Sequence, residues 1–309
     1  MSRSFSSAIP RPLLAIGPLV VLLTVFGLLA LTTPFGTIDA QGATTGEVLL
    51  TVTIIGAIAG IIPVAIGMLW FPFLRDLDPR YLHAFLALAA GVLAFIAIEM
   101  TRDVVAYTAA VDRTALAAAL AVGGVGATFA VMYAASAWRQ RTMASTEKSG
   151  LAIAYLVALA LGLHSVGEGL GIGTAFVQGD STLVAVLVLA FVLHNVMEGP
   201  TVVAAVARDA ETPPVRHFAA MGALAGGPVI VGGWLGSLAQ SALLAVLSFA
   251  IAIGAILQVL IEVGDLIRFD AGAVLTRANA TTFVAGFVLM FLLEDVVGDL
   301  VVEGWLAPV

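Results

Sequence analysis

Residues 161–200 read LGLHSVGEGLGIGTAFVQGDSTLVAVLVLAFVLHNVMEGP. Two apolar segments flank a short polar break, Gln178-Gly179-Asp180-Ser181. Each carries a histidine, a glutamate four residues on, and then a glycine: His164, Glu168 and Gly169 in HSVGEG, and His194, Glu198 and Gly199 in HNVMEG. On a helix, positions i and i+4 stack on one face, so each segment offers an imidazole beside a carboxylate. A break this short makes the two helices antiparallel neighbours. Reflection about Gly179–Asp180 sets residue 164 level with residue 195. His164 and His194 then share a depth, with Glu168 about a turn toward one membrane face and Glu198 about a turn toward the other.

An intramembrane histidine by itself reads as a helix–helix hydrogen-bonding residue. Two His–Glu pairs on hairpin neighbours read differently. Ionisable groups inside a bilayer cost about 2.5–3.5 kcal/mol each even on the lenient insertion scale. Four in one hairpin call for a compensating partner, and a cation is the natural one. Imidazole nitrogens and carboxylate oxygens together suit a divalent transition ion.

The surrounding composition sets the context. Of 309 residues, 61% are hydrophobic and 11% charged, and the mean hydropathy is +1.10. This excludes a water-soluble domain and points to an all-α polytopic membrane protein. Cysteine is absent, which excludes disulfides, thiolate metal sites and thiol redox chemistry, so any metal is held by N and O ligands. A net charge of −7 argues against nucleic acid as a partner.

Apolar runs lie at about 13–31, 46–71, 82–107, 114–138, 151–177, 182–207, 215–238, 242–267 and 279–305. The first follows a short basic lead, MSRSFSSAIPRP. Its length favours a retained helix over a cleaved signal peptide. With the N-terminus inside, one side of the membrane holds Arg3, Arg11, Arg75, Arg80, Arg139, Arg141, Lys148, Arg208, Arg216, Arg268 and Arg277, the other only Arg102 and Arg113. That asymmetry sets the N-terminus in the cytoplasm and the C-terminus outside, in a plasma (inner) membrane. Residues 1–45 form the lead, first helix and external linker, and residues 46–309 carry the remaining eight runs.

Other ionisable groups fall into two sets. Glu99 and Asp103, i and i+4 near the outer end of their span, join Glu294, Asp295, Asp299, Glu303 and the hairpin cap Asp180 in an acidic outer vestibule that concentrates cations. Ordinary interfacial solvation is the alternative for Asp103, Asp299 and Glu303. Glu262 and Asp265 lie near the inner end of the eighth run, Glu262 as an exit ligand or proton acceptor and Asp265 as that or a partner of Arg268. His83 and His217 read as surface residues at helix ends. Gly56/Gly60, Gly222/Gly226 and Gly232/Gly236 have the spacing of close helix packing. Gly167, Gly169, Gly171, Gly173 and Pro200 predict bent or loosened helices with free carbonyls beside the carboxylates.

HSVGEG followed by HNVMEG on adjacent helices resembles the ZIP (Zrt-, Irt-like protein) family of divalent metal transporters. Counted from residue 46, the motifs fall on the fourth and fifth helices of an eight-helix core, and the 13–31 helix is an addition in front. The resemblance implies His164, Glu168, His194 and Glu198 as transport-site ligands, Ser165 and Asn195 in the places of secondary ligands, and Glu262 as an acidic residue of the seventh core helix. Gly167 and Met197 stand where the family has prolines. Gly227-Pro228 replaces a frequent Glu-Pro, removing a bridging carboxylate and favouring one metal over two.

The resemblance further implies Zn²⁺ as substrate, with Fe²⁺, Mn²⁺ or Cd²⁺ as others, moved toward the cytoplasm by a sliding of helix groups whose gliding surface would be the glycine-rich faces. No organic cofactor is expected. The expected partners are the metal ion and membrane lipid, with a homodimer open. Two competing readings are an intramembrane metal-dependent hydrolase and a proton-coupled transporter of an organic solute. Against the first, there is no HExxH and no nucleophile beside the pairs except Ser165.

Overall fold

A computed structural model of the chain describes residues 10–32, 42–142, 150–239 and 241–292. Among these residues there are helices and no strands. The elements are α1 (Arg11–Thr32), α2 (Thr45–Gly56), a π-helical segment (Ala57–Ile61), α3 (Ile62–Met68), α4 (Phe71–Arg75), α5 (Pro79–Ala109), α6 (Thr114–Thr142), α7 (Gly150–Val177), α8 (Ser181–Ala207), α9 (Val215–Gly226), α10 (Pro228–Leu238), α11 (Ala242–Ala271) and α12 (Arg277–Phe291). Seven stretches of the described chain are long and apolar enough to cross a membrane. They coincide with the runs expected from residue 46 through residue 267. The first and last runs appear as the shorter apolar helices Pro12–Val25 and Arg277–Phe291.

Polar residues mark the helix starts. Thr44 and Glu47 form a reciprocal capping box at α2, and Ser241 and Thr276 accept from Leu244 and Asn279 at the starts of α11 and α12. Each satisfies N–H groups that a helix leaves unpaired in its first turn.

The α7–α8 turn is built from its own sequence. Gly179 adopts φ +74°, a left-handed value that a residue with a Cβ rarely takes. Its N–H bonds Phe176 O at 3.1 Å while Asp180 N–H bonds Ala175 O at 3.1 Å, the paired closure of a Schellman C-terminus. Asp180 then turns donor-free oxygen to the next helix, accepting from Leu183 N at 2.9 Å. One residue closes α7 and caps α8, which fixes the hairpin register.

The helices gather in two groups. One contains α5, α6, α11 and α12; the other contains α2 through α4 and α7 through α10, with α1 laid against α3, α4 and α8. Trp70 Nε1 ties α1 in place by donating to Ala15 O at 2.8 Å. The groups meet chiefly where α11 crosses α7.

The glycines pack the interior of each group, and this corrects two expectations. Helix α7 runs unbroken through its glycines. A Cβ on Gly169 would lie 2.0 Å from Val229 O, one on Gly173 2.1 Å from Gly233 O, and one on Gly162 2.1 Å from Leu224 O. These residues let α7 touch the α9–α10 backbone directly; they do not loosen the helix. Gly60 against Gly226, Gly91 against Phe283 O and Gly254 against Val125 O repeat the pattern elsewhere. Backbone-on-backbone contact within a group resists sliding, so the glycine faces are not a gliding surface. At the α7–α11 boundary a large side chain intervenes instead, the Phe249 ring over Gly167.

Candidate metal centre

The hairpin register brings His164, Glu168 and Glu198 together. His164 Nε2 is 3.0 Å from Glu168 Oε1, its i+4 neighbour, and 3.8 Å from Glu198 Oε1 on the facing helix. One ligand atom from each of the three lies within 4.8 Å of the other two. All are buried, Glu198 completely. Donors on a Zn²⁺-like ion stand about 2.0–2.2 Å from the metal, so donors of one shell lie at most about 4.4 Å apart, close to the spread of this cluster. A nitrogen and up to four carboxylate oxygens, drawn out of water onto two helices, are a donor set compatible with a hard-to-borderline divalent cation.

Asn195 completes the inner wall. Its Nδ2 donates to Glu168 Oε2 at 3.1 Å and to Ala59 O at 2.9 Å. Its Oδ1 has no hydrogen-bond partner among the described residues and is buried. Ser165, paired with Asn195 in the sequence reading as a secondary ligand, directs its hydroxyl to Leu161 O and Ala225 O at 2.9 and 3.0 Å. It therefore faces the α7–α9 contact. His194 lies in α8, but its side chain falls outside the described residues.

A cavity of about 260 Å³ reaches the cluster. Glu99 and Asp103 line it together with His164 and Glu168, so α5 contributes the acidic wall that its i,i+4 carboxylates suggest. Tyr107, near the end of α5, and Phe249 also line it, their rings stacked with centroids 5.9 Å apart. His164 is 13 residues before the end of α7, so it lies roughly 20 Å along the helix from the turn end of the bundle. The aromatic wall was not legible in the sequence, because nothing local links Phe249 to Gly167.

The remaining candidates lie apart. Glu262 is buried between α11 and α6, where Oε1 accepts from Ser136 Oγ and, at 3.2 Å, from Gln258 Nε2. That places it on the side of α11 facing α6. Asp265 is exposed on α11. Glu294 and Asp295, with Asp299 and Glu303, fall outside the described residues. His83 and His217 are held at the basic ends of the helices: His83 Nε2 is 3.6 Å from Asp270, which pairs with Arg208 at 2.5 Å, and His217 Nδ1 is 3.0 Å from Tyr155 Oη.

Fold and site together define an all-helical polytopic membrane protein with a buried His–Glu cluster of metal-binding character. Comparison with protein-family models and with curated proteins finds no match to this chain.

Proposed function

We propose that the protein transports divalent transition-metal ions, Zn²⁺ foremost, across a membrane toward the cytoplasm, in the manner of the ZIP family that its two motifs resemble. One observation carries this reading: His164, Glu168 and Glu198 lie within 4.8 Å of one another inside adjacent spans, and His164 and Glu168 also line an acidic cavity. Such a cluster is costly to bury without a cation to neutralise it. Transport also accounts for the wall of Glu99 and Asp103, which raises local cation concentration ahead of the site.

Direction follows from charge. Eleven of the thirteen Lys and Arg residues lie on the side where the N-terminus is placed, which makes that side cytoplasmic and the cavity mouth external. An inside-negative potential then favours entry by about 2.3 kcal/mol per charge per 100 mV. On this reading the protein is a transporter of its metal and not an enzyme. Its two helix groups, joined chiefly at the α7–α11 contact, are the bodies that shift relative to each other.

Metal uptake into proteoliposomes tests the proposal. The wild-type protein is expected to accumulate Zn²⁺, with Glu168→Ala and Glu198→Ala reduced to background. Equal uptake by all three sinks it. Metal-dependent turnover of a lipid or peptide without uptake would favour the hydrolase.

A further inference from the structure

Residue 63 of an uninterrupted helix would send its N–H to the carbonyl of residue 59. Residue 63 is proline, which has no N–H and whose ring crowds that carbonyl. The helix widens at this point: Ala57–Ile61 is π-helical, and Ile62 N–H reaches back to Ala57 O. Wide turns of this kind within α-helices recur at functional sites.

The displaced carbonyl is put to use. Ala59 is fully buried, and its oxygen accepts from Asn195 Nδ2 at 2.9 Å. The other N–H of that amide goes to Glu168 Oε2 at 3.1 Å. A backbone carbonyl only accepts, so the amide has one admissible orientation, nitrogen toward Ala59 and Glu168. The wide turn is itself clamped, since a Cβ on Gly60 would lie 2.3 Å from Gly226 O. The chain of contacts thus runs from α3 through α8 to a carboxylate on α7, and it begins at a residue with no ligand atom.

We propose that Pro63 is a positioning residue of the metal centre: it turns the Ala59 carbonyl outward, which orients the Asn195 amide, which holds Glu168 Oε2 and leaves Glu168 Oε1 to face His164. This rests on the metal reading of the cluster. Partners one step beyond the ligands change metal affinity by about 10–100-fold when lost, and the relay places Pro63 one step further out than Asn195.

Equilibrium Co²⁺ binding by the full chain in detergent, followed by visible absorption, reports both affinity and ligand geometry. Pro63→Ala regains an N–H that competes for Ala59 O. Its affinity is expected to fall about 10-fold with an altered Co²⁺ spectrum. Pro63→Leu regains the same N–H while keeping bulk, and should shift alongside it. Asn195→Ala should lose about 10–100-fold, and the Pro63→Ala/Asn195→Ala double variant should be no weaker than Asn195→Ala alone. Pro18→Ala, which removes an intrahelical proline from α1, should bind as wild type. Wild-type affinity and spectrum in both Pro63 variants, or multiplying losses in the double variant, would overturn the relay and leave the metal reading standing. Absence of any Co²⁺ binding by the wild-type protein would overturn both.

Discussion

Glu198 Oε1 stands 3.8 Å from His164 Nε2 across the α7–α8 seam, while Glu168 Oε1 stands 3.0 Å from the same nitrogen within α7. His164 is therefore the shared neighbour of two buried carboxylates. Removing the imidazole leaves two buried carboxyl groups facing each other with no group between them, an unfavourable arrangement in a low-dielectric site. His164→Ala is expected to destabilise the metal-free protein by about 3 kcal/mol. His164→Ala/Glu198→Gln should recover most of the loss, because it removes one of the opposed carboxyl groups. Chemical unfolding in detergent measures both. Equal stability of the single and double variants would show that the carboxylates do not confront each other.

Protons and metal compete for the same lone pairs. Carboxylates and imidazole bind a dication only when deprotonated, so affinity rises with pH and falls on acidification. Binding at pH 5.5 is expected to be at least about tenfold weaker than at pH 7.5. Isothermal titration in two buffers of different ionisation enthalpy should detect protons released on binding. A pH-independent affinity with no proton release would be incompatible with a His–Glu site.

How much of this was legible in the sequence depends on the distance over which each relation acts. His164 and Glu168 are i and i+4, and Glu198 is set by a turn of four residues, so period and reflection were enough to bring the three together. The Asn195–Ala59 bond spans 136 positions, and the widened helix behind it was not foreseen, though a proline inside an apolar run marks where it had to occur. Glu262 was placed in the membrane by its surroundings, but its partner Ser136 is 126 positions away on a helix the sequence cannot pair with it. The α7 glycines misled because small residues license both loosening and close approach. Only the facing backbone of α10 decides between them.

That decision has a measurable consequence. Gly169→Ala drives a methyl group to within 2.0 Å of Val229 O and should cost about 1–3 kcal/mol by overpacking. Gly171→Ala meets only Leu187 Cδ1 at 3.7 Å, an ordinary contact. It should be neutral, or stabilise by up to about 1 kcal/mol from helix propensity. Were these glycines present to loosen the helix, the two substitutions would act alike in thermal unfolding.

Asp209 tests the basic end. Its two carboxylate oxygens accept from Gly150 N and Leu151 N at 2.8 and 2.9 Å, so the second residue after α8 caps the start of α7. Asp209→Ala should cost about 1 kcal/mol, the usual loss for an N-terminal cap. Hydrogen exchange should quicken first in the opening turn of α7. Unchanged protection there would mean that the cap is replaced by water without loss.

The cavity makes the most direct prediction, because the chain contains no cysteine and any introduced thiol reports alone. Gly171 lines the cavity, and a side chain there meets nothing closer than 3.7 Å. Gly171→Cys should react with a membrane-impermeant thiosulfonate, whereas Ala158→Cys, at a fully buried position of the same helix, should not. Gly171 is three positions beyond Glu168, roughly 4.5 Å along the axis, so bound Zn²⁺ should slow the labelling. In oriented vesicles the reaction should proceed from the side opposite the basic loops. Labelling only from the basic side would reverse the cavity and with it the direction of entry. Labelling from neither would mean that the space between Asp103 and His164 holds no continuous path for water, and the acidic wall could not then feed the site.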